Sequence, residues 1–211
     1  DPALGFLTGK TYADDSAVLY TNSGGGRLQT RLGARGIATS YGYNGANDLL
    51  TVTHTDGTPG VTNTYDRLGR VQTVSDGVSS RTLSYNEFGQ LTNETYTTGL
   101  LSGCSVIRAF DSLGRLQGVS LGGVSGVLPV IYGYDGASRL RTVGFGGNTV
   151  TYDYATNSAL VSGLTYSNGL IAALNTVKSY DGLGRLTNIT SSAVSPTSVT
   201  QSVVNAFSYQ Y

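Results

Sequence analysis

Charge is scarce in this sequence. Charged residues make up 12% of the 211 positions, and 13 Lys and Arg balance 13 Asp and Glu, leaving no net charge. That balance argues against a basic surface of the kind that binds nucleic acid. Glu and Lys, the usual formers of surface helices, number two each, which removes most of the support for helix. Cys104 is the one cysteine, so no internal disulfide and no cysteine-based zinc site can form. With no basic neighbour closer in sequence than Arg108, it reads as a small buried hydrophobe rather than a reactive thiol. His54, in Thr51-Val52-Thr53-His54-Thr55-Asp56, is the single histidine and has no partner set for a metal or a triad. No cofactor is expected. An apolar run of about 18 residues is absent, so no membrane helix is expected, and no basic-plus-apolar start resembles a signal peptide. Methionine is missing altogether. A chain that starts without it, inside what proves to be a repeat, reads as a mature product or a piece of something longer.

What is present is glycine and tyrosine. Thirty glycines and 15 tyrosines, with many Thr, Ser and Val, suit short strands joined by tight turns, and the chain reads as nearly all β. One heptapeptide recurs along it. Tyr65-Asp66-Arg67-Leu68-Gly69-Arg70-Val71 has copies in Tyr43-Asn44-Gly45-Ala46-Asn47-Asp48-Leu49, Tyr85-Asn86-Glu87-Phe88-Gly89-Gln90-Leu91, Phe110-Asp111-Ser112-Leu113-Gly114-Arg115-Leu116, Tyr134-Asp135-Gly136-Ala137-Ser138-Arg139-Leu140 and Tyr180-Asp181-Gly182-Leu183-Gly184-Arg185-Leu186. The pattern is an aromatic, Asp or Asn, two variable residues, Gly or another small or polar residue, usually Arg, then Leu or Val. Counting from Tyr20, which opens a lengthened copy through Gly24-Gly25-Gly26-Arg27-Leu28, the leading aromatics at 43, 65, 85, 110 and 134 give intervals of 23, 22, 20, 25 and 24 residues. Such a period signals a repeat array. Two strands of average length with their turns need about twenty residues, so each repeat is one β-hairpin plus its connection.

Turn chemistry sits where hairpins need it. The motif Asp or Asn can accept hydrogen bonds from amides two residues on, and Gly69, Gly89, Gly114 and Gly184 can take positive φ. A second set of turns is expected between units, at residues 56–60, 76–77, 122–123, 146–148 and 167–169. Leu or Val closing a motif is followed three residues later by Val or Ile, as in Val71/Val74 and Leu186/Ile189. That odd spacing puts the two on opposite faces unless a bulge intervenes, which suits a sheet covering other layers or contents. Between 152 and 180 the register is irregular, and residues 168–175 read as either a helical turn or a longer loop. The first copy, Asp1-Pro2-Ala3-Leu4-Gly5-Phe6-Leu7, lacks its aromatic, and the last starts at Phe207, so the array reads as cut at both ends.

Tyr-Asp-x-x-Gly-Arg-Leu at intervals of about twenty residues resembles the YD repeat of the RHS family. The resemblance covers almost the whole chain. It implies consecutive hairpins forming a curved, spiralling β-strip, in that family a hollow shell within polymorphic toxins, insecticidal toxin complexes and teneurin-like surface proteins. Bacterial members commonly enclose a C-terminal toxic domain, and members that release it do so through an aspartyl self-cleaving segment after the repeats. No such segment and no toxin tail are seen here, and the chain is far shorter than such shells, so it is not expected to enclose a folded cargo alone.

The motif carboxylates Asp66, Asp111, Asp135, Asp153 and Asp181 would be paired acids in an enzyme, but regular recurrence is what turn capping requires. The series Arg27, Arg70, Arg115, Arg139 and Arg185 would form a ladder for anionic glycans. Its structural counterpart is packing over neighbouring Tyr rings and pairing with the Asp of adjacent turns. Tyrosines would be sugar-stacking platforms or strand residues with the hydroxyl at a rim. The expectation is a single all-β domain over 1–211, of eight or nine hairpin repeats forming a curved strip or partial shell, structural and without catalysis. Its partners would be neighbouring repeats of a longer chain or other copies of itself, with an enclosed toxin cargo. It would be secreted or on a bacterial surface. A glycan- or protein-binding module and a fibre built through open repeat ends are the other two readings.

Overall fold

A computed structural model describes residues 5–169, 171–194 and 202–211, and among them there are strands and turns but no helix. The opening copy at Asp1 to Leu4 lies outside the described residues, as does Leu170. Two compact units divide the chain, Asp1–Val106 and Ile107–Tyr211.

In the first unit, β1 (Gly9–Thr11), β2 (Ala17–Asn22), β3 (Leu28–Leu32), β4 (Ala38–Tyr43), β5 (Leu49–His54), β6 (Val61–Tyr65), β7 (Val71–Ser75), β8 (Ser80–Tyr85) and β9 (Leu91–Thr98) form a meander. Each pairs antiparallel with the next. Strand β10 (Ser105–Phe110) begins at the end of that unit and continues into the second. There β11 (Leu116–Gly122), β12 (Val130–Tyr134), β13 (Leu140–Phe145), β14 (Asn148–Tyr154), β15 (Val161–Asn168), β16 (Ile171–Tyr180), β17 (Leu186–Ala193) and β18 (Ser202–Ser208) repeat the scheme. The fold class is therefore all-β, built of tandem hairpins as the motif spacing predicts.

The motifs sit at the turns of hairpins, and five of them carry a bulge. Tyr65 faces Val71, but the next pair is Thr64 with Thr73, so Gln72 is the extra residue. The same shift follows Tyr43, Tyr85, Tyr134 and Tyr180. The bulge resolves the odd apolar spacing. Val71 lies opposite Tyr65 and Val74 opposite Asn63, and Asn63 and Tyr65 are two apart on one strand. Val71 and Val74 thus share a face with the aromatic rather than pointing to opposite faces.

Among the described residues, strands within each unit touch only their neighbours in sequence, so no second layer of them is packed on either unit's strands. Val18, 4% exposed, is the one buried large apolar residue among the described residues. Half-burial is the rule along the strands. The expectation of a sheet over other layers is not met inside either unit.

Three local readings change. Of the stretch 168–175, the described residues 168, 169 and 171–175 are neither helical nor a long loop, because Leu174 pairs with Tyr166 and Ala172 with Ser167 across the β15–β16 hairpin. Cross-strand pairing overrides the helix propensity of Ala and Leu there. The copy near Tyr20 is not lengthened: Asn22 faces Leu28, and Ser23 and Arg27 close the turn, so Asn22 holds the aromatic slot. A turn over Gly33-Ala34-Arg35-Gly36, passed over in the sequence, joins β3 to β4.

The fifth motif position holds the left-handed conformation whatever occupies it. Gly69 has φ 76°, and the same slot is filled by Asn47 at 77° and Ser138 at 62°. A Cβ at Gly69 would meet nothing within 4 Å, so only backbone conformation opposes a side chain there. Gly69→Val is expected to cost about 1–2 kcal/mol in urea unfolding, and Gly69→Asn clearly less. Equal losses would contradict the left-handed requirement.

Candidate functional site

Among the described residues, those of the motif turns recur in a fixed three-dimensional arrangement, so these define the candidate site. The turn begins with the backbone: the Asp66 amide donates to the Arg70 carbonyl at 2.8 Å and the Gly69 amide to the Asp66 carbonyl at 3.0 Å. The carboxylate then closes it. Asp66 Oδ1 accepts the amides of Leu68 (2.8 Å) and Arg70 (3.0 Å), and Oδ2 accepts Arg70 Nε at 2.7 Å. Asp111 with Arg115, Asp135 with Arg139 and Asp181 with Arg185 repeat all three bonds, with Nε–Oδ2 distances of 2.7, 2.8 and 2.7 Å. Arginine thus pairs with the carboxylate of its own turn, not with that of an adjacent one as the sequence suggests. Four residues of turn bring the two within reach, whereas the next turn lies a whole hairpin away.

The guanidinium still ties turns together, by stacking. Arg70 lies 4.6 Å from the ring centre of Tyr85, the leading aromatic of the following copy. Arg115 covers Tyr134 at 4.4 Å, Arg139 covers Tyr154 at 4.2 Å, Arg27 covers Tyr43 at 5.7 Å and Arg185 covers Tyr211 at 4.7 Å. Tyr211, not Phe207, therefore holds the final aromatic slot. Beyond the ring, Arg115 Nη1 reaches Ser138 Oγ at 3.0 Å, and Arg139 Nη1 donates to the Ser158 carbonyl.

Tyrosine closes the link from the other side. Its hydroxyl donates to the carbonyl of the residue that ends the preceding motif: Tyr43 to Leu28 (2.9 Å), Tyr65 to Leu49 (2.7 Å), Tyr85 to Val71 (2.8 Å), Tyr134 to Leu116 (2.8 Å), Tyr154 to Leu140 (2.6 Å) and Tyr180 to Val161 (2.7 Å). Phe110 fills the same slot without a hydroxyl. In Tyr43, Tyr85, Tyr134 and Tyr154 a guanidinium occupies one ring face and the hydroxyl is engaged, which favours the structural use of these rings over sugar stacking.

Two copies use a clasp without arginine. Asn44 Nδ2 donates to Asp48 Oδ2, and Asn86 Nδ2 donates to Gln90 Oε1, each at 2.9 Å. Their Oδ1 atoms still accept the turn amides. Second and sixth motif positions therefore change together, Asp with Arg and Asn with an acceptor. That correlation is visible in the sequence and is the signal that within-turn pairing leaves there.

Other candidates fall outside this arrangement. Asp153 lies in β14 and faces Arg141 at 3.5 Å rather than capping a turn. Cys104 is half-buried, not buried, because it belongs to the β9–β10 turn, where its amide donates to the Leu101 carbonyl at 2.9 Å. Ser120 stands in Gly118-Val119-Ser120-Leu121-Gly122, a nucleophile-elbow spelling overlooked in the sequence, but this stretch is strand β11 and not a strand-to-helix turn. His54 Nδ1 lies 3.2 Å from Thr39 Oγ1.

No protein-family profile and no curated protein matches the chain. Solved structures do share its fold. A crystal structure of TcdB2-TccC3-Cdc42 is similar over 95% of this chain and 13% of that one, at 14% identity and a TM-score of 0.59. The Tc holotoxin pore of Photorhabdus luminescens, carrying a TccC3 mutation, is similar over 90% of this chain and 12% of that one, at 14% identity and a TM-score of 0.66. The chain thus spans a small part of the length of those it matches. The class that the fold defines is a tandem β-hairpin repeat, the architecture that the YD-repeat resemblance implies.

The clasp sets an acid limit. The amide of its partner arginine holds each of Asp66, Asp111, Asp135 and Asp181 below the usual carboxylate range, with the guanidinium adding to it against partial desolvation. A carboxyl whose folded pKa is depressed stabilises the fold above its unfolded pKa, 3.8 here, and that contribution is lost as pH falls through the lower folded value. Urea stability is expected to be flat above about pH 5 and to fall below pH 4. The double variant Asp66→Asn/Arg70→Gln, which installs the chain's own Asn86–Gln90 pair, is expected to shrink that acid loss while leaving the fold intact by circular dichroism. An unchanged acid limb would remove the clasp as its source. Separately, Tyr85→Phe is expected to cost about 1 kcal/mol, the worth of one hydrogen bond, measured by the same unfolding.

Proposed function

We propose that this chain is a non-catalytic stretch of wall in an RHS-type shell of a secreted or surface toxin-like protein. The observation that carries the reading is the use made of the polar motif residues. Aspartate, arginine and tyrosine, the groups that would do chemistry, are engaged copy after copy in joining one hairpin to the next. A wall needs that regularity, and a reaction needs groups that differ from one another.

Two further features support it. Leu68 and Phe88 in the first unit and Leu113 and Leu183 in the second, at the tips of their turns, are 77, 78, 69 and 79% exposed, apolar tips suited to lie against other parts of a larger body. The fold is also that of solved Tc toxin assemblies, although at 14% identity this likeness extends to architecture and not to role. In this reading the immediate partners are further repeats, residues 1–211 form one continuous repeat module, and a cargo lies on the concave side of the wall.

Electron microscopy of the complete gene product tests the proposal. A hollow particle with residues 5–211 running as consecutive hairpins in its wall is expected. A solid body would overturn the reading, and so would a filament that lengthens with concentration, since filament growth favours head-to-tail assembly through open edges.

A further inference from the structure

One concave surface of the first unit does not follow the rule of the repeats. Register places Tyr20 opposite Arg31, Arg31 opposite Thr39, and Thr39 opposite His54. Directly opposed residues share a face, so these four side chains form a row across β2 to β5. Val18 joins the same face two residues before Tyr20, and Lys10, opposite Val18, extends the row to β1. Turns fold over its end: Arg35 comes from the β3–β4 turn, and Asp56 and Thr58 come from the turn after β5.

The result is a cleft of about 450 Å³ lined by Tyr12, Val18, Arg31, Arg35, Thr39 and His54, among others. Its floor holds two of the few buried side chains described, Val18 at 4% and Thr39 at 7% exposure. Elsewhere Arg70, Arg81, Arg115, Arg139, Arg141 and Arg185 each have a carboxylate within 4 Å. Arg31 and Arg35 have no carboxylate partner among the described residues. The one acid lining the cleft, Asp56, already accepts the Thr58 amide at 3.1 Å. Lys10 adds a third cation beside it, 4.6 Å above the Tyr12 ring.

We propose that this cleft binds the carboxylate of an acidic saccharide. Guanidinium forks match a carboxylate with two parallel N–H···O bonds, and neither fork needs to break an existing pair to do so. The Thr39 hydroxyl and the His54 ring offer hydrogen bonds to sugar hydroxyls from the floor. Tyr12 supplies an apolar surface for the ring at the rim, and the volume lies in the range of small-ligand sites. The site is independent of the wall reading, because it uses none of the clasp residues.

Calorimetric titration of the full chain tests it, with trigalacturonate as probe and maltotriose and inorganic sulfate as controls. Saturable binding of trigalacturonate below about 10 mM, and of neither control, is expected. The double variant Arg31→Gln/Arg35→Gln is expected to weaken it at least tenfold, roughly the loss of one charge-assisted hydrogen bond. Arg67→Gln, which removes an exposed arginine on another turn, is expected to leave it unchanged. Thermal melting checks that the variants fold, and Arg35→Gln alone, at a turn tip, replaces the double variant if it does not. The proposal is overturned by absent saturation, by equal binding of maltotriose or sulfate, by a variant that binds as the parent does, or by an equal loss in Arg67→Gln.

Discussion

The three-bond grip of a motif carboxylate on its own turn is the interaction on which the rest depends. Asp66 holds two amides with one oxygen and the Arg70 Nε with the other, which fixes both the turn and the direction of the guanidinium. Fixed there, the guanidinium lies over the Tyr85 ring, and Tyr85 in turn donates to the Val71 carbonyl at the end of the same motif. Where the pattern is complete, a hairpin is thereby joined to the next at its turn as well as along its strands. In a sheet without a covering layer inside either unit, apolar burial is limited, and such ties carry a larger share of what orders one hairpin against another.

The tandem hairpins were legible because they rest on local chemistry. Turn-forming Asp, Asn and Gly and a recurrence near twenty residues each require only neighbours in sequence to be read. The bulge was less so. It was visible only as the awkward spacing of Val71 and Val74, which needs either a bulge or two apolar faces, and sequence spacing alone does not choose between them. At residues 168–175 local chemistry misled, since Ala172-Ala173-Leu174 suits a helical turn and only the partner strand decides otherwise.

In the site, the identity of the motif residues was legible and their connectivity was not. Asp and Arg together in four of the six copies suggest a pair, but recurrence leaves open whether the pair lies within a turn or between turns. The copies without arginine decide it. Asn44 with Asp48 and Asn86 with Gln90 change both members together inside one heptapeptide, which a between-turn pair would not require. The same logic explains why Asp153 fails as a motif acid: Ala155 holds the second position of that copy, so no carboxylate closes the turn, and the turn is one residue longer, with the Ala155 amide donating to the Leu160 carbonyl.

A repeat that assigns its polar residues to holding itself together leaves function to the places where the assignment lapses. The first unit contains such a lapse. Ser23 stands where Asp belongs, so Arg27 has no clasp carboxylate, only the Tyr43 ring and a Ser23 hydroxyl that accepts its backbone amide at 3.2 Å. Arg31 on the next strand and Arg35 in the turn after it are also without acids among the described residues, and together with Thr39 and His54 they line a cleft. A chain with equal numbers of cations and anions can leave cations unpaired in one region only if anions go unpaired elsewhere. The local excess therefore reflects how charge is distributed along the array, not its total, and that is why composition could not reveal it.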